Sequence, residues 1–333
     1  MRQDFSIGVI ITLYNKENYI IRALLSMLNQ SRQPDIVIII NDCSTDSSVN
    51  KVNQFLVNNN IQTDIKLVCL EKNVGAAEAR NVALKQIDTD YAIFLDADDQ
   101  YDTNYIDNIY KILKQESNIG MIMSCVKMES SSLIYPSSKI IKYIHHHHHN
   151  NNNNNKYSII QKPFEILSKE SIFIGGGNVC FNRQLITDFF DPREKNFEEW
   201  NFYYSILKES IKLDFKLIFN HTPSYIYNDI DEQSLSRKKI ESYKNIVVPN
   251  LIKRLINKEE KKYKSLLISM WLCNGIDRLD NYKEKIRFIH YNIDIIKQAK
   301  INRYTIGAFA RLIIPSCLYS SIKNIYKRKR FKA

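Results

Sequence analysis

The sequence predicts an α/β fold in which an open mixed sheet, flanked by helices, is followed by a helical C-terminal region. Three observations carry that prediction. Strand-length apolar runs alternate with helical periodicities over the first 130 residues. The runs are almost continuously apolar and β-branched, as in strands buried on both faces. From about residue 230 onward no strand-like run appears, and only helical spacing remains.

The elements follow in order. SIGVIITL (6–13) reads as the first buried strand, and 17–29 carries apolar residues at helical spacing. DIVIII (35–40) is a second strand, and Ser44-Thr45-Asp46 supplies N-cap chemistry for a helix reaching about residue 58. IKLVCL (65–70), an alanine-rich helix over 75–87 and YAIFLD (91–96) continue the alternation. A helix over 103–115 and a strand near 120–128 come next. Residues 163–169 look helical, VCF (179–181) is a short strand, 197–209 an amphipathic helix and FKLIF (215–219) another strand. Four helical stretches are expected near 232–256, 258–280, 283–299 and 303–325. The division is therefore 1–228 for the α/β domain and 229–333 for the helical region. Five histidines and six asparagines at 145–155 read as a low-complexity, disordered surface insertion; a histidine run can also bind a transition metal. That run leaves His221 and His290 for organised chemistry, and a surface or core role suits His221 better than a catalytic one.

Lys and Arg number 47 against 36 Asp and Glu, a net charge of +11, which permits nucleic acid, an anionic membrane or a phosphate-bearing small molecule as partner. No nucleic-acid module accompanies the charge, so nucleic acid is not expected. The six cysteines are scattered with no C-x-x-C pair, as in a reduced, cytoplasmic protein. The opening MRQDFSIGVIITLYN lacks a basic n-region and long apolar h-region, so a secretory signal is not expected. The nearest candidate for a membrane span, Tyr304 to Ile322, contains Arg311 and Pro315.

Polar clusters fall at the carboxyl ends of the first four strands: Tyr14-Asn15, Asn41-Asp42, Asn73 and Asp96-Ala97-Asp98-Asp99. In open α/β sheets ligands bind there. Asp96-x-Asp98 places two carboxylates together at a strand end, a donor set suited to Mg²⁺ or Mn²⁺ and, through the metal, to phosphates. G-x-x-x-x-G-K-[ST] and G-x-G-x-x-G are both absent, which argues against P-loop NTPases and dinucleotide dehydrogenases.

Residues 7–46, 71–99 (EKNVGAAEARNVALKQIDTDYAIFLDADD) and 190–206 (FDPREKNFEEWNFYYSI) resemble the family 2 glycosyltransferases of GT-A fold, of the bacterial surface-polysaccharide type. The resemblance covers about residues 5–210. It implies inverting transfer of a sugar from a nucleotide diphosphate, a UDP-sugar by default, to a glycan or lipid-linked acceptor. Residue by residue, it places Thr12, Tyr14 and Asn15 beside the nucleoside and Asp42 as an acceptor for base or ribose. Asn73 and Arg80 would face the donor, Asp96 and Ala97 would lie near the ribose, and Asp98 would be the principal metal ligand, with Asp96 beside it. Asp99 would orient the loop or cap the next helix.

The family's catalytic base is the Asp of Glu-Asp-Trp. Here the motif reads Glu198-Glu199-Trp200, so Glu199 takes the base position one methylene longer, with Glu198 as the alternative. Two further departures are Asn41 for the usual Asp and Cys43 for a usual glycine, the latter implying a different turn. Gly175-Gly176-Gly177 matches a region bordering the acceptor side, and reads either as a flexible turn or as a place where backbone approaches a ligand. The Gln-x-x-Arg-Trp motif of polymerising synthases is absent.

The basic tail Lys327-Arg328-Lys329-Arg330 after an apolar segment suits docking on an anionic inner membrane face; a solvated tail or a homo-oligomer contact are the alternatives. A non-catalytic nucleotide-sugar-binding or scaffold protein is the competing function, motivated by Asn41 and Glu199.

Overall fold

The computed structural model describes residues 5–59, 61–147, 156–173, 176–194, 196–231, 234 and 237–313. They fall into two compact units. One is drawn from residues up to Tyr135, Tyr143–Gln161 and Ile172–Ile230; the other from Pro136–Lys142, Lys162–Ser171 and residues from Asp231 onward.

The first unit is built on one mixed sheet. Its strands are β1 (Ile7–Leu13), β2 (Ile36–Asn41), β3 (Asp64–Cys69), β4 (Tyr91–Asp96), β5 (Gln100–Tyr101), β6 (Ile119–Met128), β7 (Ile134–Tyr135), β8 (Tyr157–Ile159), β9 (Val179–Asn182) and β10 (Lys216–Tyr227). They run in the order β3-β2-β1-β4-β9-β6-β10-β5, with β7 beside β6 and β8 beside β10. β1, β2, β3 and β4 are mutually parallel, whereas β9 runs antiparallel to both β4 and β6.

Continuous burial along β1 and β4 explains their uninterrupted apolar runs: helices cover both faces. β3 is the edge strand, and its residues are exposed or half-buried. The helices are α1 (Ile20–Leu28), α2 (Ser48–Asn58), α3 (Ala76–Gln86), α4 (Tyr105–Gln115) and, later in the chain, α7 (Glu198–Lys212). α1 buries Ile20, Ala23, Leu24 and Met27, the i, i+3, i+4, i+7 stripe of an amphipathic helix.

Several expectations need correction. The strand read as 215–219 continues to Tyr227, and Pro223 is tolerated at one of its register shifts. Three histidines of the low-complexity run are ordered rather than part of a disordered insertion. His145, His146 and His147 form the last turn of α5 (Ser138–His147), a helix with Ile140 and Ile144 buried at i, i+4. Residues 148–155 lie outside the described residues.

The second unit holds α6 (Pro163–Leu167), α8 (Asn250–Arg254), α9 (Lys261–Arg278), α10 (Tyr282–Tyr291), α11 (Ile293–Ile296) and α12 (Arg303–Ile313). Trp271 and Phe288 are buried there with ring centroids 5.0 Å apart. The helix expected over 232–256 is not formed among the described residues: a single 3₁₀ turn (Tyr243–Asn245) and the short α8 replace it. Pro249 restricts the residue before it to extended backbone and forces a fresh helix start. The stretch 283–299 is split at Asn292, whose Nδ2 donates to the carbonyl of Phe288 at 2.8 Å. Beyond Ile313 the expected helix, and with it the basic tail, lies outside the described residues. Among the described residues no helix is long and apolar enough to cross a membrane.

Candidate active site

The strand order reverses at β1, which has β2 on one side and β4 on the other. That is the switch point at which an α/β sheet opens a crevice at its carboxyl edge. The register brings three clusters level there: Thr12 pairs with Ile40 of β2 and with Asp96 of β4.

Tyr14 and Asn15 follow β1. Tyr14 is 46% exposed. Asn15 adopts a left-handed conformation (φ 50°), which Asn tolerates. Its Oδ1 accepts from the Thr45 amide at 2.8 Å and its amide donates to Ser44 Oγ at 3.0 Å, tying the loop after β1 to the loop after β2.

Asp42 faces the other way. Its two oxygens accept from the amides of Val74 (2.6 Å) and Gly75 (2.9 Å), fixing the entry to α3. Burial pushes its carboxyl above the ordinary range, and those two hydrogen bonds oppose the shift. Asn73 Nδ2 donates to the Asp42 carbonyl at 3.2 Å. Cys43 sits at φ 59°, a left-handed conformation that glycine adopts more readily than a residue with a side chain.

Arg80, on α3, is the buried cation of the site. Its guanidinium donates to Asp96 Oδ1 at 2.8 Å and to Glu198 Oε1 at 2.9 Å, and it lies 5.6 Å and 5.5 Å from the ring centroids of Phe94 and Phe190. Burial alone would lower its pKa, but Asp96, Glu198 and Glu199 hold it above its ordinary value. It is therefore a bridge between the end of β4 and the start of α7.

Asp96 and Asp98 are paired with different cations, Arg80 and Lys16. Asp98, mostly buried, pairs with the ammonium of Lys16 at 2.7 Å. Burial raises its pKa and Lys16 opposes that. Ala97 between them is buried. Asp99 is buried as well. Its oxygens accept from the Tyr225 hydroxyl and, at 2.6 Å, from the Asn228 amide, so it anchors the loop to β10.

Among the described residues no group of three His, Cys, Asp or Glu side chains is arranged to hold a metal ion by itself. The Asp98 carboxylate already holds one cation, and a hard divalent ion suits the same oxygens. Such an ion would draw its other ligands from donor phosphates and water, as Mg²⁺ commonly does.

The two glutamates separate by partner. Glu198 is committed to Arg80. Glu199 has no hydrogen-bonded side-chain partner among the described residues, and its carboxyl is pushed up to about 8, first by burial and then by Glu198, with Arg80 opposing. Both sit in the first turn of α7, after Phe197 in a left-handed conformation (φ 63°) stacked on buried Trp200. Non-glycine residues in that conformation are often held at functional sites.

The glycine segment borders this cluster. A Cβ on Gly176 would lie 3.4 Å from Arg80 Nη2 and 3.6 Å from Asp96 Oδ1, and one on Gly177 would lie 2.1 Å from the Tyr225 ring. The close approach at these two glycines is thus to the protein's own side chains and, at Gly177, to the Phe94 carbonyl, and Gly175 lies outside the described residues. His221 bonds Ser158 Oγ at 2.9 Å through Nε2, and burial lowers its pKa to about 4.

Sequence reasoning missed Lys16, Arg22 and Tyr225. Arg22 donates to the Asp98 carbonyl at 2.8 Å. The Lys16 signal was present as a cation two residues after Tyr14; Tyr225 is 126 residues from Asp99 and had none.

Comparison with known proteins bears on this arrangement. The model of "Glycosyl transferase family 2" matches residues 8–190, more than half of the chain. GlyA of Streptococcus pneumoniae serotype 4, a glycosyltransferase, is 30% identical over 137 residues, covering 40% of this chain and 19% of that protein. A glycosyltransferase of Haemophilus influenzae is 24% identical over 332 residues, covering 92% and 97%. TuaG of Bacillus subtilis, described as a putative teichuronic acid biosynthesis glycosyltransferase, is 35% identical over 111 residues, covering 33% and 43%. The chain thus spans less than half of the length of GlyA and TuaG. Among solved structures, S. aureus TarS 1–349 with UDP-GlcNAc superposes with TM-score 0.60 at 17% identity, covering 98% of this chain and 92% of that one. A GT-A fold and a family-model match over the strand ends described above agree: the chain belongs to glycosyl transferase family 2.

Proposed function

We propose that the chain is an inverting, metal-dependent glycosyltransferase that moves a sugar from a nucleotide-diphosphate sugar to a hydroxyl of a glycan or lipid-linked acceptor in surface-polysaccharide assembly. A UDP-sugar is the first donor to test, because the TarS fragment of similar fold was solved with UDP-GlcNAc. The names of GlyA and TuaG favour the transferase class, and TuaG's favours the polysaccharide setting.

The observation that carries the reading is Glu199: a carboxylate with no hydrogen-bonded side-chain partner, raised to about 8, next to an acid cluster at the sheet's switch point. In an inverting transfer the acceptor oxygen attacks the anomeric carbon opposite the leaving diphosphate, and a base must take its proton. A base is most effective with a pKa near the working pH, and Glu199 meets that condition while Glu198 is held by Arg80. In this reading Tyr14 offers its exposed face to the nucleobase, and Thr12, Asn15, Asp42 and Asn73 shape the nucleoside pocket. Arg80 fixes Asp96 beside the ribose, with Ala97 behind it. Asp98, with Asp96, would hold Mn²⁺ or Mg²⁺, which neutralises charge on the departing diphosphate. The acceptor would be met at the cytoplasmic face of the membrane, with the basic tail from Lys327 as the contact.

The test is a donor-hydrolysis and transfer screen over nucleotide sugars with and without Mn²⁺. Transfer that vanishes in Glu199→Gln while donor binding persists supports the assignment. Absence of both donor binding and transfer across the screen overturns the enzyme reading.

A further inference from the structure

The helical unit carries a cavity of its own, of about 390 Å³, within the range of roughly 300–1,000 Å³ usual for small-molecule sites. Its basic lining comes from Lys169 after α6, Lys262 on α9, and Lys300 and Arg303 at the entry to α12. No acidic residue lines it.

These charges are unequally compensated. Arg303 donates to Glu170 at 3.0 Å, and Glu170 is buried; Lys169 lies 4.0 Å from Glu165. Lys262 and Lys300 have no carboxylate partner among the described residues. Like charges gathered around a concave wall raise the local potential, and a bound anion relieves it.

The wall is also fixed in place. Ser265 Oγ accepts the Lys300 amide at 2.6 Å, and Asn302 Nδ2 donates to Ser269 Oγ at 2.7 Å, so α9 holds the segment. Asn302 Oδ1 accepts the amides of Tyr304 and Thr305 at 2.8 and 3.2 Å, which caps α12. α12 begins at Arg303, so the positive end of its dipole adds to the same field.

We propose that this pocket binds a phosphate ester carried on a small polyol or sugar, with Lys262 and Lys300 as its charge-bearing contacts. A carboxylate brings one negative charge, whereas a phosphomonoester brings about two and three acceptor oxygens, which suits several converging bases. Lysine meets phosphate as a mobile point charge. A bilayer surface is the less fitting occupant, because membrane docking needs an apolar face beside the basic one and Leu266 is the one large apolar side chain lining the pocket. The proposal goes beyond the transfer reading and does not depend on it.

The test is calorimetric titration of the whole chain with glycerol 3-phosphate, inorganic phosphate, acetate and phosphatidylglycerol vesicles. It is run on the wild type, on Lys262→Gln/Lys300→Gln and on Lys262→Arg/Lys300→Arg. The expected result is that glycerol 3-phosphate binds more tightly than inorganic phosphate or acetate and weakens with added salt. The Gln pair should lose about tenfold or more in affinity while the charge-keeping Arg pair retains binding. Circular dichroism of each variant shows that the fold is kept. Tighter binding of inorganic phosphate assigns a free anion and overturns the ester. Binding to vesicles alone, binding indifferent to the Gln pair, or no binding of any soluble phosphate overturns the site.

Discussion

The ammonium of Lys16 lies 2.7 Å from Oδ2 of Asp98, at the position where the sequence pattern leads one to expect a divalent cation. Lysine therefore supplies a counter-charge that opposes the upward push of burial on the Asp98 carboxyl. Removing it with Lys16→Met leaves Asp98 uncompensated. Stability of the metal-free protein should fall by roughly 1–3 kcal/mol, between the limits for exposed and buried pairs. Mn²⁺ should restore much of that loss and should bind the variant more tightly than the wild type, read by the EPR signal of free Mn²⁺. Equal Mn²⁺ affinity in the two proteins would remove the competition between ammonium and metal.

Glu199 ties activity and stability to the same proton. With its carboxyl pushed up to about 8, transfer should rise with pH through that value, because the base works only when ionised. The stability effect has the opposite sense. Between the ordinary glutamate value near 4.5 and about 8, the native state holds a proton that the unfolded chain has released, so stability falls as pH rises. Above that window the cost is constant; below it there is none. Glu199→Gln should therefore lose transfer by roughly 10²–10⁴-fold. It should also gain thermal stability relative to wild type at pH 9 but not at pH 4. A flat difference in melting temperature across that range would place the ionisation elsewhere.

The sheet was legible in the sequence because β1, β2 and β4 are buried on both faces, and such burial leaves a nearly continuous apolar run. The strand-end acids were legible for a related reason: Asp42, Asp96 and Asp98 end those apolar runs at the carboxyl edge of the sheet. β7 and β8 were not read, being two and three residues long and too short for a periodicity. The partners of Arg80 and Asp99 were hidden because they are distant in sequence; the Arg80–Glu198 pair spans 118 residues. The helix expected over 232–256 failed where local chemistry, Pro249 above all, overrode apolar spacing. The glutamate pair was found by position, but which of them is free of Arg80 is a fact of three-dimensional packing alone.

Arg80 joins Asp96 to Glu198 from a buried position, so its loss leaves two carboxylates facing each other without a cation. Arg80→Met should destabilise by about 3–5 kcal/mol, the range for breaking a buried pair. Arg80→Lys should recover only part of this, because a single ammonium cannot reproduce a fork that reaches two carboxylates in different directions. Chemical denaturation of the three proteins measures the series. A lysine variant as stable as the wild type would show that charge, not the planar fork, holds β4 to α7.

Gly177 is constrained by space. A Cβ there would stand 2.1 Å from the Tyr225 ring and 2.7 Å from the Phe94 carbonyl, so Tyr225 or the backbone must move. Tyr225 is the residue whose hydroxyl anchors Asp99, and Asp99 adjoins Asp98. Gly177→Ala should cost roughly 1–3 kcal/mol through overpacking. It should also weaken Mn²⁺ or donor binding through the displaced loop. Gly176→Ala is the control, since a Cβ there meets nothing nearer than 3.4 Å, at Arg80 Nη2 and Phe94 Cβ, and does not touch Tyr225. Similar effects at the two glycines would dissociate the Tyr225 contact from the site.

Cys43 carries φ 59° on a residue with a side chain, next to the Asp42 carboxylate that fixes the start of α3. The left-handed region costs a non-glycine residue roughly 1–2 kcal/mol, and glycine is free of that cost. Against it stands glycine's larger loss of backbone freedom on folding, of roughly 0.5–1 kcal/mol. The Cys43 thiol adds little, its one contact being 3.7 Å from the Glu71 carbonyl. Cys43→Gly should therefore be neutral to stabilising, by up to about 1 kcal/mol, and Cys43→Val should be destabilising because a β-branched side chain is poorly accommodated at positive φ. The pair of variants, compared by thermal unfolding, tests the strain directly. A valine variant as stable as the glycine one would show that the turn relaxes out of the left-handed region, and that Asp42 does not depend on it.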